Sequence, residues 1–153
     1  MRPSAEEWAM SMALVTAQRS TCVRRHVGCV LLNHRGHVLA TGYNGVPSGF
    51  DHCNEGHQCP GGFAKSGEDL DKCFAVHAEV NALLQCHDVY QIDTAYTTTS
   101  PCMACCKLLL NTSCKRIVFI EEYAHTASKE LWESAGRLWI AAPRLLGGQR
   151  GIK

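Results

Sequence analysis

The chain has 153 residues, 46% of them hydrophobic, and a formal net charge of +1. That length suits one domain with a real core, and a charge so near zero gives no electrostatic case for wrapping polynucleotide. No apolar run approaches the ~20 residues of a membrane span, and the N-terminal stretch, interrupted by Glu6 and Glu7, makes a poor export signal.

Ser4-Ala5-Glu6-Glu7 has the form of a capping box and predicts an amphipathic helix running to about Arg19. Val27–Leu32 and His37–Tyr43 read as two strands joined by a tight turn near Asn33, Arg35 and Gly36. Pro47, Gly49 and the Gly-, Asp-, His- and Cys-rich stretch from Cys53 to Lys72 form a long irregular segment. A loop of that length in a compact domain is functional, stapled by metal, or disordered. The next helix is expected from Val76 to Cys86, and Thr94–Thr99 is a Thr/Tyr-rich strand. Ser100 suits an N-cap and Pro101 the first position of a helix to about Leu110. Arg116–Ile120 reads as a short buried strand, Ser128–Ala135 as a helix stopped by Gly136, and Leu138–Ala141 as a last strand. Trp8, Trp132 and Trp139 read as core or interface anchors, core being the first choice. Strands alternating with helices, with no internal repeat, predict a single three-layer α/β/α domain over residues 1–153.

Ten cysteines raise the question of a secreted disulfide scaffold. The chain is long for a stapled mini-protein, and Cys102, Cys105 and Cys106 crowd one predicted helix, a poor geometry for mutual disulfides. A reduced, cytoplasmic setting with thiolate-bound metal fits better. Cys29, Cys86 and Cys114 are expected to be small core hydrophobes, and Cys106 to point away from the neighbouring ligand.

Chemistry concentrates in two stretches, His77-Ala78-Glu79 and Ser100-Pro101-Cys102-Met103-Ala104-Cys105. They offer one imidazole and two thiolates, a set that leaves a tetrahedral zinc one position for water. Cysteines three apart share one helix face, and a helix N-terminus favours thiolate over thiol. Glu79, two residues past His77, need not ligate and is placed to carry protons for the water. The alternative is a zinc staple with Glu79 merely at a helix start. A lone C-x-x-C would favour that alternative; the paired order H-x-E then P-C-x-x-C is the signature of zinc nucleobase deaminases.

A second set of Cys and His lies outside this pair. Cys22, Cys53, His57 and Cys73 suggest a structural zinc that pins the loop at 53–73, with His52 and Cys59 as spare candidates. The alternative is a set of free thiols.

The chain resembles the zinc-dependent cytidine and deoxycytidylate deaminase superfamily, and within it the deoxycytidylate (dCMP) deaminases of the short bacterial and phage type. Four stretches carry the resemblance: Arg19-Ser20-Thr21-Cys22-Val23-Arg24-Arg25-His26-Val27-Gly28, Thr41-Gly42-Tyr43-Asn44-Gly45-Val46-Pro47-Ser48-Gly49, Cys73 to Ala82, and Thr98 to Cys105. Cys29 departs from it, since members of the family often have alanine there. The resemblance implies a cytidine-deaminase-like α/β fold with a mixed, mostly five-stranded central sheet. It implies hydrolysis of dCMP to dUMP and ammonia, feeding thymidylate synthesis, with zinc on His77, Cys102 and Cys105 and Glu79 as proton carrier. The Ala78 N–H would hold the pyrimidine carbonyl and Asn44 would bond the sugar. Tyr123 would stack near base or sugar, its other reading being an ordinary half-buried tyrosine. Arg24 is the first candidate for the 5′-phosphate and Arg25 the second, their other reading being a solvated arginine pair.

The family also has a second zinc near the loop positions named above. Many members are hexamers activated by dCTP and inhibited by dTTP. Gly42, Gly45, Pro47 and Gly49 match the effector segment, with magnesium entering only alongside a dCTP effector; a tight turn is the plain alternative. The implied partners are small nucleotides and further copies of the chain, with no polynucleotide and no membrane, in the cytoplasm or in a host's cytoplasm if phage-encoded. The competing readings are a deaminase of another cytosine substrate, such as 5-modified dCMP, deoxycytidine or RNA, and a non-catalytic zinc module of the same fold.

Overall fold

A computed structural model describes residues 1–53 and 73–142. In chain order the elements are α1 (Ala5–Ala17), β1 (Gly28–Asn33), β2 (Val38–Tyr43), α2 (Ala78–Gln85), β3 (Ile92–Thr99), α3 (Met103–Leu110), β4 (Arg116–Glu121), α4 (Ala127–Ser134) and β5 (Leu138–Ala141). A 3₁₀ turn at Val89–Gln91, not expected from the sequence, leads into β3. The strands form one five-stranded sheet of order β2-β1-β3-β4-β5. β1 pairs antiparallel with β2 and β3, while β3, β4 and β5 run parallel. The parallel pairs follow from α3 and α4, each a crossover between successive strands.

Side chains alternate across the strands and so build two cores. Val30, Leu32, Tyr96 and Val118 meet Ala9, Met10 and Ala13 of α1 on one face. Cys29, Leu31, Ala95, Ile117 and Phe119 meet Ala78, Ala82, Leu109 and Trp132 of the other helices on the opposite face. This is the expected three-layer arrangement with its mixed five-stranded sheet.

Two glycines set the spacing between layers. A Cβ on Gly28 would lie 2.0 Å from the Ala13 carbonyl oxygen of α1, and one on Gly42 would lie 2.3 Å from both Ala78 O and Ala82 N of α2. Backbone rests directly on backbone at both places.

The predicted capping box forms: Glu7 N donates to Ser4 Oγ at 3.1 Å and Ser4 N donates to Glu7 Oε2 at 2.7 Å. The β1–β2 turn closes on Asn33, whose Oδ1 accepts from the N–H groups of Arg35 and His37, with Gly36 at a φ of 77°. Helix α4 stops at Gly136, φ 76°, as expected. Cys22, Cys29, Cys86, Cys102, Cys105, Cys106 and Cys114 are free thiols. No helix among the described residues is long and apolar enough to cross a membrane.

Three expectations need correcting. Ser100 does not cap α3, because its N–H is committed to Glu121 O and its Oγ accepts from Tyr123 N at 2.6 Å; Cys102 takes the N-cap position. Trp8 is 42% exposed, whereas Trp132 is fully buried. Helix α1 ends at Ala17, two residues before Arg19, where Ser20 turns the chain toward the β2 loop.

Candidate active site

Helices α2 and α3 begin side by side on the same face of the sheet, each directly after an extended stretch. His77 is the N-cap of α2 and Cys102 the N-cap of α3, and neither side chain makes a capping hydrogen bond. Ser, Thr, Asp or Asn at these positions would turn back on the helix; imidazole and thiol are left to face each other. Cys105, one turn into α3, joins them from the same helix face.

His77 Nδ1 lies 3.4 Å from Cys102 Sγ and 3.4 Å from Cys105 Sγ. The three donor atoms all fall within 4.8 Å of one another. A tetrahedral zinc with Zn–S of about 2.3 Å and Zn–N of about 2.05 Å has an N···S edge of about 3.5 Å. The donor set therefore fits zinc in identity and in spacing.

The electrostatics point the same way. The Cys102 thiol is pulled down to about 4, first by the hydrogen bond from the Cys105 thiol and then by His77. The Cys105 thiol is pushed up by that same bond and by burial. His77 is raised, chiefly by its hydrogen bond to Cys102. One thiolate is thus ready-made, and a divalent cation supplies the charge that holds the second.

Glu79 sits beside this cluster at the second position of α2, only 4% exposed. Burial raises its carboxyl, offset in part by a backbone hydrogen bond, then by His77 and by the Cys105 thiol. A buried carboxyl with a raised pKa, next to the ligands yet outside the ligand group, has the character of a proton carrier. Ala78, 1% exposed, is the first residue of α2, and its N–H is one of those a helix leaves without an intrahelical partner.

The remaining candidates surround these residues. Asn44 is buried and spans the loop before β1, accepting from Val27 N at 2.9 Å and donating to Arg25 O at 2.7 Å. Each bond uses only part of the amide's capacity. Ser20 Oγ donates to Asn44 O at 2.8 Å, tying the end of α1 to the same loop. Tyr123 is held through its N–H on Ser100, with the Arg25 guanidinium 5.5 Å above its ring and the His125 ring 5.5 Å away. Arg25, the second-ranked arginine, is thus the one stacked on Tyr123, while Arg24 is half-buried. Gly42 is covered by α2, so its lack of a side chain answers to helix packing. Gly45 bridges to Val76, and Pro47 O accepts from Phe50 N ahead of Gly49, φ 90°.

Of the second Cys/His set, Cys22 and Cys53 are buried, and Thr21 Oγ1 lies 3.0 Å from His52 Nδ1. Cys73 is half-buried. His57 and Cys59 lie outside the described residues. Ser100 was missed as a functional support, and its only sequence signal was its place before Pro101.

A family model, the cytidine and deoxycytidylate deaminase zinc-binding region, matches residues 3–121. The deoxycytidylate deaminase of Schizosaccharomyces pombe is 42% identical over 143 residues, covering 88% of this chain and 43% of that protein. That of Mycobacterium phage D29 is 38% identical over 129 residues, covering 79% of this chain and 98% of that protein. This chain spans only about two-fifths of the length of the Schizosaccharomyces pombe protein and of the deoxycytidylate deaminase of Saccharomyces cerevisiae, 43% and 39%. The crystal structure of dCMP deaminase from the cyanophage S-TIM5 in complex with dCMP and dUMP superposes with a TM-score of 0.73 at 30% identity, covering 93% of this chain and 99% of that one. On these matches and on the geometry of its two helix starts, the chain belongs to the cytidine and deoxycytidylate deaminase family.

Proposed function

We propose that the protein is a zinc-dependent hydrolase that converts dCMP and water to dUMP and ammonia. The observation that carries this reading is the buried carboxylate of Glu79 beside a His77, Cys102 and Cys105 cluster of zinc dimensions. When bound there, zinc supplies a Lewis acid that makes water nucleophilic near neutral pH. Glu79 takes one proton from the water and delivers it to N3 of the cytosine ring, then carries a second, from the new C4 hydroxyl, to the amino group, which leaves as ammonia. The Ala78 N–H holds the pyrimidine carbonyl. Asn44 bonds the sugar through the amide hydrogen it has left, and Tyr123 packs against the sugar. Arg24 or Arg25 meets the 5′-phosphate, the stack of Arg25 on Tyr123 favouring Arg25. The phage relatives named for this activity, one of them solved with dCMP and dUMP, support the choice of substrate.

The same reading makes residues 1–153 one deaminase domain acting in the cytoplasm, assembled as a homo-oligomer, a hexamer by family. It also includes a structural zinc on Cys22, Cys53, His57 and Cys73. Effector binding of dCTP with magnesium, or of dTTP, falls to the loop of Gly45, Pro47 and Gly49. The test is ammonia release from dCMP, 5-methyl-dCMP, deoxycytidine and CMP, with and without dCTP, alongside elemental analysis. dCMP should be the preferred substrate, and two zinc ions should be found per chain. Equal use of deoxycytidine would refute the monophosphate reading, and one zinc would remove the loop site.

A further inference from the structure

The sheet surface beneath α2 contains one polar group that nothing described so far uses. Direct cross-strand partners project on the same face, so Gly42, Cys29, Thr97 and Phe119 form a row across β2, β1, β3 and β4. Cys29 and Phe119 belong to the core under α2 and α3, which fixes the face. Gly42 carries the first turn of α2, with Ala78 and Ala82 resting on it. Thr97 is the single polar side chain in the row. It is 0% exposed, and its Oγ1 has no hydrogen-bond partner among the described residues. Its neighbour Thr98, on the other face, has its hydroxyl engaged by Gly28 N. A hydroxyl buried without a partner is costly, and Val is close to isosteric at a strand position, so the oxygen calls for an explanation.

The orientation of α2 supplies one. Asn81 Nδ2 donates to Tyr43 O at 2.8 Å, so that flank of the helix faces β2. Glu79, two residues earlier, lies about 160° away round the helix axis. Its flank therefore faces away from β2, toward β1 and the start of α3, which pack against α2.

We propose that Thr97 is a positioning residue for Glu79: its hydroxyl, unpartnered among the described residues, becomes the donor on the sheet side of the carboxylate during turnover and holds it oriented for proton transfer. This rests on Glu79 being the proton carrier of a deaminase. Thr97→Val removes the oxygen and keeps the shape. It should lower kcat by about tenfold or more, the worth of one hydrogen bond to a charged group, with KM within about twofold. Zinc content should stay at the parent level and the melting temperature should not fall. Thr97→Ser should restore most of the turnover.

A cycle with Glu79→Gln isolates the coupling: on the residual turnover of that variant, Thr97→Val should have little further effect. If Thr97→Val does not fold, the same cycle is run with Thr97→Ala. A Thr97→Val enzyme within twofold of the parent in kcat overturns the proposal, as does a loss that persists undiminished in the Glu79→Gln background. A parent chain with no deaminase activity sinks the functional reading itself, whereas an active parent with an unimpaired variant sinks only the role of Thr97.

Discussion

Gly42→Ala tests whether the sheet sets the metal geometry. The added methyl would stand 2.3 Å from Ala78 O and from Ala82 N, and 2.9 Å from Ala82 Cα. Carbon packs comfortably at about 3.5 Å, so β2 and α2 must separate by about 1 Å. The obstructing atoms are helix backbone, so no rotamer change relieves the clash. His77, as the N-cap, moves with α2, while Cys102 and Cys105 stay with α3. The 3.4 Å separations between imidazole and sulfurs would then exceed what one zinc can bridge. Overpacking of this kind costs about 1–3 kcal/mol, or a fall in Tm of about 3–10 °C. Misplacement by about 1 Å costs activity on the order of 100-fold.

The control is Gly28→Ala, whose methyl would stand 2.0 Å from Ala13 O and 2.6 Å from Ala17 N. It pushes α1 from the opposite face and should cost similar stability without loosening the metal. The assay is zinc release to a competing chelator, read with kcat/KM and Tm. A Gly42→Ala protein that holds zinc and activity at the parent level would refute the reasoning, as would a Gly28→Ala protein that releases zinc equally fast.

Glu79→Gln should keep zinc and fold while losing about 100- to 10,000-fold in kcat; turnover within a few-fold of the parent would sink the mechanism. Arg25→Ala should shrink the preference for dCMP over deoxycytidine in kcat/KM by at least about tenfold, since a charge-assisted bond to phosphate is lost. Arg24→Ala should shrink it less, and the reverse ranking would return the phosphate to Arg24.

Local sequence carried most of the architecture. The capping box, the Asn33 turn and the Gly136 stop are short-range devices whose chemistry involves a few adjacent residues, and each formed as written. The five strands fell within two residues of their expected bounds, because β-branched and apolar runs leave little choice of face. What failed was set by tertiary partners. Ser100 looks like a cap until Tyr123, 23 residues away, claims its oxygen. Trp8 reads first as core until its place on α1 leaves it 42% exposed among the described residues.

The site divides in the same way. His77, Glu79, Cys102 and Cys105 were legible because the chemistry fixes residue type and order, and each lies at a helix start. Asn44, Arg24 and Arg25 were legible only as a neighbourhood. Which arginine meets Tyr123 depends on how the loop from Ser20 to Val27 folds over Asn44, and that is decided by bonds spanning 17 to 24 residues. Thr97 carried no signal, since a threonine in a strand is ordinary until its face and its neighbours are known.

The metal also has work to do beyond chemistry. Helices α2 and α3 have eight residues each, well below the length at which a helix is stable alone. Both begin without the side-chain cap that contributes about 1 kcal/mol elsewhere. Zinc joining the two N-caps offsets that deficit, since binding to the folded form alone is stabilising. α1 has its capping box and lies on the other face. Chelation should therefore lower Tm and raise amide hydrogen exchange first in the opening turns of α2 and α3, with α1 and the centre of β3 staying protected. Exchange that rises equally in α1, or a chelated protein with unchanged protection in α2 and α3, would show that the sheet alone holds the two helix starts together.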